Sequence, residues 1–371
     1  MIFKLVLTTL ILTLSTWSST AIAQTARIES TTGMVKLKRQ NWSEFKPVSV
    51  NAEVKSGDQI FPAQGAKVTL LCPDLQKRPV SSGVPSGLKT ICPVWPALKA
   101  KNPPPPGSLG GINALIPYLI SPRHSLILTD TPVISWNAVP KTQQYTVRVT
   151  DSQGIIWEQQ TEKSSIIYSG QPALVPGIPY SVKIQGDRGQ SSEQDNSSKL
   201  EFVKLHPTEI QTIKAEVSKI EQLKLNAQTT ALTLANLYGT YTLPASMGKN
   251  YSLSASTRPT YHLTSDAIAV LEAVIQQGKT SPLIERTLGD LYWQTGLVNL
   301  ATEHYLKTIK LAQTPETLEE LTLAQFGLGE ISSATNHSAD AKLWYSKARD
   351  GYLSLGDTQQ ADFLQRLIES L

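Results

Sequence analysis

The sequence predicts two small all-β modules followed by an all-α array of paired helices. Three observations carry that expectation. Through residues 24–204 apolar residues recur at alternate positions in short runs between turn residues, the period of a strand. From Thr208 onward they recur at steps of three and four, the period of a helix. Within that second half Ala267 and Leu271 precede Ala301 and Tyr305 by 34 residues each, so the helical part repeats internally.

The first 23 residues read as an address. Lys4 precedes an apolar run from Leu5 to Leu14, and a polar stretch ends in Ala21-Ile22-Ala23, the small-x-small pattern of a signal peptide cut after Ala23. That run is short of the roughly 20 residues needed to span a bilayer. No second such run follows, so the mature chain, expected to start at Gln24, is expected to lack a transmembrane anchor and to be periplasmic or secreted. No Cys follows the run, which argues against a lipid anchor. Cys72 and Cys92 are either two buried thiols or a disulfide; export favours the disulfide, and no nearby His suggests a metal.

The formal charge of +4 is unevenly spread. Residues 24–106 carry twelve Lys and Arg against five Asp and Glu, a balance of +7. Residues 107–207 balance at zero, and residues 208–371 stand at −4. A basic front module could meet an anionic envelope polymer or the acidic helical tail itself. Export and the lack of a basic–aromatic motif argue against nucleic acid.

Residues 24–100 form the predicted front module. Val35/Leu37, Val48/Val50 and Val68/Leu70 each place alternate apolar residues on one strand face, and Ser56-Gly57-Asp58 and Gln64-Gly65 are turns. The strings GMVKLKR, VKSGDQI and AKVTLL, spread over about residues 28–72, resemble the bacterial FecR-type periplasmic domain. The resemblance implies a small all-β unit facing the envelope. The FecR signalling role depends on a membrane helix and a cytoplasmic segment, neither of which the sequence shows.

Asn102-Pro103-Pro104-Pro105-Pro106-Gly107, running into Gly110-Gly111, predicts a stiff linker over residues 101–122. Residues 123–204 then supply strands at Val133–Trp136, Tyr145–Val149, Ile155–Trp157 and Ile166–Tyr168. Leu174-Val175-Pro176-Gly177-Ile178-Pro179-Tyr180 has the layout of a tyrosine corner. Together, ISWNAV, YTVRV and LVPGIPY resemble a fibronectin type III-like sandwich. That resemblance makes Trp136 and Tyr145 core residues; Trp157, beside Glu158 and Gln159, is expected to be more open.

The tail, residues 208–371, opens with Ile210, Ile213, Val217, Ile220 and Leu223 on one helical stripe. Leu234-Ala235 and Tyr238, Leu288-Gly289 and Tyr292, and Leu328-Gly329 begin three helix pairs, closed by Ala267/Leu271, Ala301/Tyr305 and Ala341/Tyr345/Ala348. Leu355-Gly356-Asp357 turns the chain into a last helix, Thr358–Ser370. This pattern resembles the tetratricopeptide repeat. A polar stretch at 242–264 interrupts the first pair and is either a functional or a mobile insertion, with mobile the favoured expectation. In the family, first-helix positions facing away from the second helix line a concave groove. Carried over, these are Leu283, Arg286, Asp290 and Trp293, with Phe326 and Glu330 in the third repeat and Asn236 in the first. A Trp beside Arg and Asp would suit a peptide, with an apolar anchor and charge-paired ends; equally, Trp293 could pack on the neighbouring repeat.

Signatures of chemistry are missing from the sequence. The histidines (His124, His206, His262, His304, His337) are scattered without ligand spacing, and there is no nucleophile elbow, P-loop or Gly-rich strand-to-helix turn. No cofactor, metal or catalytic residue is expected. The expected function is a non-catalytic envelope scaffold that binds a protein or peptide through the helical tail. The alternative is binding of envelope polysaccharide or peptidoglycan, or FecR-like sensing, by the basic front module.

Overall fold

The structure, a computed structural model, describes residues 25–39, 42–55, 57–72, 77–92, 104, 108–195, 197, 200–243, 251–253 and 261–371. The predicted signal peptide, most of the proline run, and 244–250 and 254–260 of the predicted insertion lie outside the described residues. Among the described residues, small, almost wholly antiparallel sheets fill the N-terminal half and eight helices the C-terminal half.

The front module has strands β1 (Thr25–Thr32), β2 (Val35–Lys38), β3 (Lys46–Pro47), β4 (Glu53–Lys55), β5 (Gln59–Pro62), β6 (Lys67–Leu71), β7 (Lys77–Val80) and β8 (Ser86–Gly87), then helix α1 (Leu88–Ile91). They make two four-stranded sheets, β4-β1-β6-β7 and β3-β2-β5-β8. Val35 and Leu37, and Val68 and Leu70, point into one core with Ile28, Val54, Ile60 and Leu88, as the alternation predicts. Val48 and Val50 do not form such a pair. The chain turns there at Asn51, whose φ is +70°, and Val50 is left 41% exposed. Gly57 takes φ +82°, and Asp58 accepts a hydrogen bond from the Lys55 amide at 2.9 Å, which closes the predicted turn. Cys72 and Cys92 are joined, with Cα atoms 5.4 Å apart, tying the end of β6 to the end of α1. Closing a loop of that length is worth about 3 kcal/mol.

The middle module comprises β9 (Leu119–Ser121), β10 (Ser125–Ile127), β11 (Val133–Trp136), β12 (Tyr145–Asp151), β13 (Gly154–Thr161), β14 (Ser165–Ile167), β15 (Pro179–Gly186) and β16 (Glu201–Lys204). Sheets β10-β16-β15-β12-β13 and β14-β11-β9 share a core of Ile134, Trp136, Val147, Tyr168, Ile184 and Phe202. Trp136 and Tyr145 meet edge to face in it, 5.2 Å between centroids. The Tyr180 hydroxyl accepts the Val175 amide at 2.7 Å, the bond a tyrosine corner requires. Trp157 departs from expectation. Although β13 is an edge strand, Trp157 is 8% exposed and packs on Tyr168, because the strand turns it inward opposite Val149.

The helices are α2 (Pro207–Gln222), α3 (Ala227–Thr240), α4 (Thr264–Gln276), α5 (Pro282–Gln294), α6 (Val298–Leu311), α7 (Leu318–Ala334), α8 (Ser338–Ser354) and α9 (Thr358–Ser370). Asn226, Ser281 and Asp357 cap α3, α5 and α9 by accepting backbone amides, and Pro282 occupies the first turn of α5, where its missing N–H costs nothing. Of the α2 stripe only Ile213 is fully buried; Leu223 is exposed, because the helix leans on the array by one side near its start.

Two expected separators are instead part of the fold. Gly110 exchanges backbone hydrogen bonds with Gly296 and Val298 in the α5–α6 turn, at 2.9 and 3.1 Å. Arg123, 1% exposed, donates to the carbonyls of Thr295 (2.8 Å), Ser108 (2.8 Å) and Leu119 (3.1 Å), with the Asp195 carboxylate 3.6 Å away. Burial pulls its pKa down to about 10 and Asp195 works to restore it, so the guanidinium stays charged at neutral pH. Residues 108–122 are therefore a joint rather than a spacer. Likewise Leu243, Tyr251, Leu253, Tyr261 and Leu263, from the described parts of the expected mobile insertion, are buried in the helical core. The Tyr251 hydroxyl receives the His206 amide and donates to Glu209, both at 3.3 Å.

The turns from α4 to α9 are short, which makes these helices antiparallel in succession, and the Leu263 amide bonds the Tyr238 carbonyl at 3.2 Å, setting the start of α4 against the end of α3; the α3–α4 and α5–α6 connections thus fall at one end of the array and the α8–α9 turn at the other. The middle module is tied to the first end, through Ser125–His262 and Gly110–Leu297 bridges. The front module meets the second end, where Gly87 abuts the Leu355 carbonyl and Gln59 abuts Gly356. The front module thus touches the helical array through uncharged residues.

Candidate functional site

The repeat motif organises the centre of the array. Tyr305 of α6 lies between two glycines: a Cβ on Gly289 of α5 would stand 2.6 Å from its ring, and one on Gly327 of α7 would stand 2.4 Å from it. Real Cβ atoms do not approach so closely, so both positions need glycine for the ring to fit. Tyr345 of α8 sits against Gly329 in the same way. The Leu-Gly and aromatic signature is thus a ring-in-notch packing device. Tyr292 fills the next gap, stacked on His304 at 5.3 Å and donating to Glu272 of α4.

Around Tyr305 runs a buried polar seam. Its hydroxyl donates to Asp290 at 2.8 Å, and Asp290 also accepts from Arg286 one turn earlier. Glu319 and Glu320, in the first turn of α7, add their field. Burial works against the Arg286 charge, but Asp290, Glu320 and Glu319 more than offset it and hold the pKa above the ordinary value. The Tyr305 phenol is driven well above its ordinary value by burial and by Asp290, so it remains a donor. On another side of α5, Glu285 receives Thr280 and pairs with His304, each at 2.7 Å. Burial tends to raise the Glu285 pKa, yet His304 and Thr280 bring it below the usual carboxylate value.

Leu283, Arg286, Asp290 and Trp293 do share one face of α5, as their spacing predicts, but none is more than 9% exposed. They are packed into the array rather than laid along an open groove, since α7 closes over α5 and Trp293 joins the main core. Phe326, Glu330 and Asn236 are half-buried. Phe326 packs with the last helices, and Glu330 accepts from the Tyr345 hydroxyl. Among the described residues, two donors on the α5 face, Arg286 Nε and Trp293 Nε1, have no hydrogen-bond acceptor.

Sequence reasoning did not single out Arg123, Glu285, Glu319 or Glu320. Ser-Pro-Arg carries no pattern, and a carboxylate pair in a helix is ordinarily solvated surface. Among the described residues no group of three His, Cys, Asp or Glu side chains is placed to hold a metal ion, and no helix is long and apolar enough to cross a membrane. No known protein family matches the chain, and no curated protein does. The fold and this face define a class by architecture: small disulfide-bearing β sheets followed by, and tied to, an array of eight helices.

Proposed function

We propose that this protein is an exported, non-catalytic scaffold of the bacterial envelope that holds a partner protein or peptide along the α5 face of its helical array. The observation that carries this reading is the pair of buried, unsatisfied donors, Arg286 Nε and Trp293 Nε1. A buried N–H without an acceptor typically costs on the order of 1–3 kcal/mol. Two of them, seven residues apart on one helix face, stand about 10 Å apart along the axis. An extended backbone offers carbonyl acceptors over such a span within about three residues. The Arg286–Asp290 pair between them would fix polar groups of the same chain. Because the face is closed in the free protein, binding is coupled to opening of the α5–α7 contact, and Phe326 and Glu330 mark where entry begins. The Cys72–Cys92 bond supports an oxidising compartment.

The test places a photo-crosslinking residue at Phe326 of the full chain and exposes it to envelope extract, beside an Arg286→Lys variant that keeps the charge and loses the fork. Recovery of one protein by the first and its loss in the second is the expected outcome. Slower amide exchange in α5 and α7 when that protein is added completes it. Equal capture by both chains, or none, refutes the reading.

A further inference from the structure

The chain between the front module and the joint has to travel the length of the helical array. It leaves at Cys92, just past α1, whose N-cap Gly87 abuts the Leu355 carbonyl in the α8–α9 turn. It arrives at Ser108, whose carbonyl crowds Gly296 in the α5–α6 turn, at the opposite end. Helices α5 and α7, of 13 and 17 residues, cover about 20 and 25 Å between those ends. Residues 93–107 lie outside the described residues except for Pro104, which is buried. Extended, that stretch reaches about 45–50 Å, enough to run along either helix with length to spare.

Charge decides which side suits it, because the stretch carries Lys99 and Lys101. The exposed side of α6 and α8 presents Lys307, Lys310, Lys342 and Lys347, of the same sign. The α5–α7 face has the opposite sign: Asp290, Glu319 and Glu320 act together on the one guanidinium of Arg286, a formal balance of 1 − 3 = −2. All three carboxylates are 9% exposed or less, and none of them is without a partner. The end of α5 supplies a second match. The Gly296 amide donates to the Trp293 carbonyl at 2.9 Å, so the prolines that precede Ser108 reach the array at the end that carries Trp293. Among the described residues the Trp293 Nε1 has no acceptor. A proline offers a carbonyl and no N–H, and aromatic side chains recognise polyproline turns.

We propose that residues 93–107 fill the α5–α7 face in the free protein as an internal ligand, with Lys99 and Lys101 among the carboxylates and the proline run at Trp293. The proposal rests on the partner reading in one clause only: a partner must displace this segment, and so has to present a basic, proline-rich stretch of its own. Tethering gives the segment an effective concentration on the order of millimolar, which sets the competition an outside chain has to win.

Two measurements on the full disulfide-bonded chain test it, and no outside partner enters either, so they stand or fall apart from capture in envelope extract. Lys99→Glu with Lys101→Glu is expected to speed amide exchange in α5 and the first turn of α7 about tenfold, with circular dichroism unchanged. In the second, residues 93–103 are replaced by a Gly-Ser stretch of equal length, which vacates the face. A labelled peptide of residues 93–107 is expected to bind that variant, and to bind the natural chain at least about tenfold more weakly. The same peptide with both lysines changed to glutamate is expected not to bind. Exchange in α5 that ignores the lysine variant overturns the proposal. So does peptide binding that is equal for the two chains, or absent from both up to millimolar peptide. Protection of α5 that rises with protein concentration would assign the occupant to a second copy and likewise overturn it.

Discussion

Replacing Gly289 by Ala separates two effects of opposite sign. Inside an exposed helix, Gly→Ala gains about 1 kcal/mol from backbone entropy. Here the new methyl would lie 2.6 Å from the Tyr305 ring, about 1 Å inside normal contact. The ring cannot retreat, since the Gly327 position lies behind it and Asp290 holds its hydroxyl. Overpacking of a tight core costs about 1–3 kcal/mol, and a ring blocked on both sides belongs at the upper end. The net expectation is a loss of about 2 kcal/mol. Urea unfolding followed by circular dichroism at the helix band measures it, with the slope m checked to be unchanged. In a Tyr305→Leu background the added methyl has room, so the same substitution should cost at least about 1 kcal/mol less, giving a clear coupling energy. A gain of about 1 kcal/mol from Gly289→Ala, or an undiminished cost beside Leu, would refute the ring-in-notch account.

Two further outcomes follow from the joints. Arg123→Met leaves three buried carbonyls without this donor and Asp195 without its cation, with only the Gly111 amide and the Ser197 hydroxyl still donating to it, so a loss of about 3–5 kcal/mol is expected. In calorimetry the middle module and the helices should then melt in separate steps. Asp266, at the start of α4, has its pKa pushed up to about 7 by burial, against a bond from its own backbone amide that lowers it. A carboxyl raised in the folded state favours folding while protonated, so this contribution declines as pH climbs from about 4 through 7. Asp266→Asn should therefore raise the melting temperature at pH 8 and flatten its dependence between pH 5 and 8. An unchanged profile in that thermal scan counts against the assignment.

Periodicity made the order of elements legible. Alternation at Val35/Leu37 and Val68/Leu70 located strands, and the 34-residue spacing put Ala267, Leu271, Ala301 and Tyr305 in one core, where all four are fully buried. Turn chemistry was legible for a local reason: Gly57 and Asp58 close their turn with bonds three residues apart. What could not be read was whatever depended on distant partners. Trp157 looked open beside Glu158 and Gln159, yet Tyr168 covers it. Gly110 and Gly111 looked like a hinge, because nothing nearby announces that their partners are Gly296 and Leu297. The four α5 residues do share one face, and α7 packs over it, bringing Glu319 and Glu320, which sequence context makes look like solvated charge, to bear on Arg286.

The ties from Arg123 to Thr295, 172 residues apart, and from Ile112 to Asn299, 187 apart, also set a timetable for assembly. Closing such loops is slow beside forming helices from neighbours in the chain. During synthesis the first 120 or so residues emerge well before the turn that completes their seat, with Gly110 and the Arg123 guanidinium still in water. The late-emerging helices, rich in local contacts, are the part able to fold on their own schedule. The N-terminal half is finished on them, so a chain halted before residue 300 should present an unclosed seam that chaperones and proteases can find.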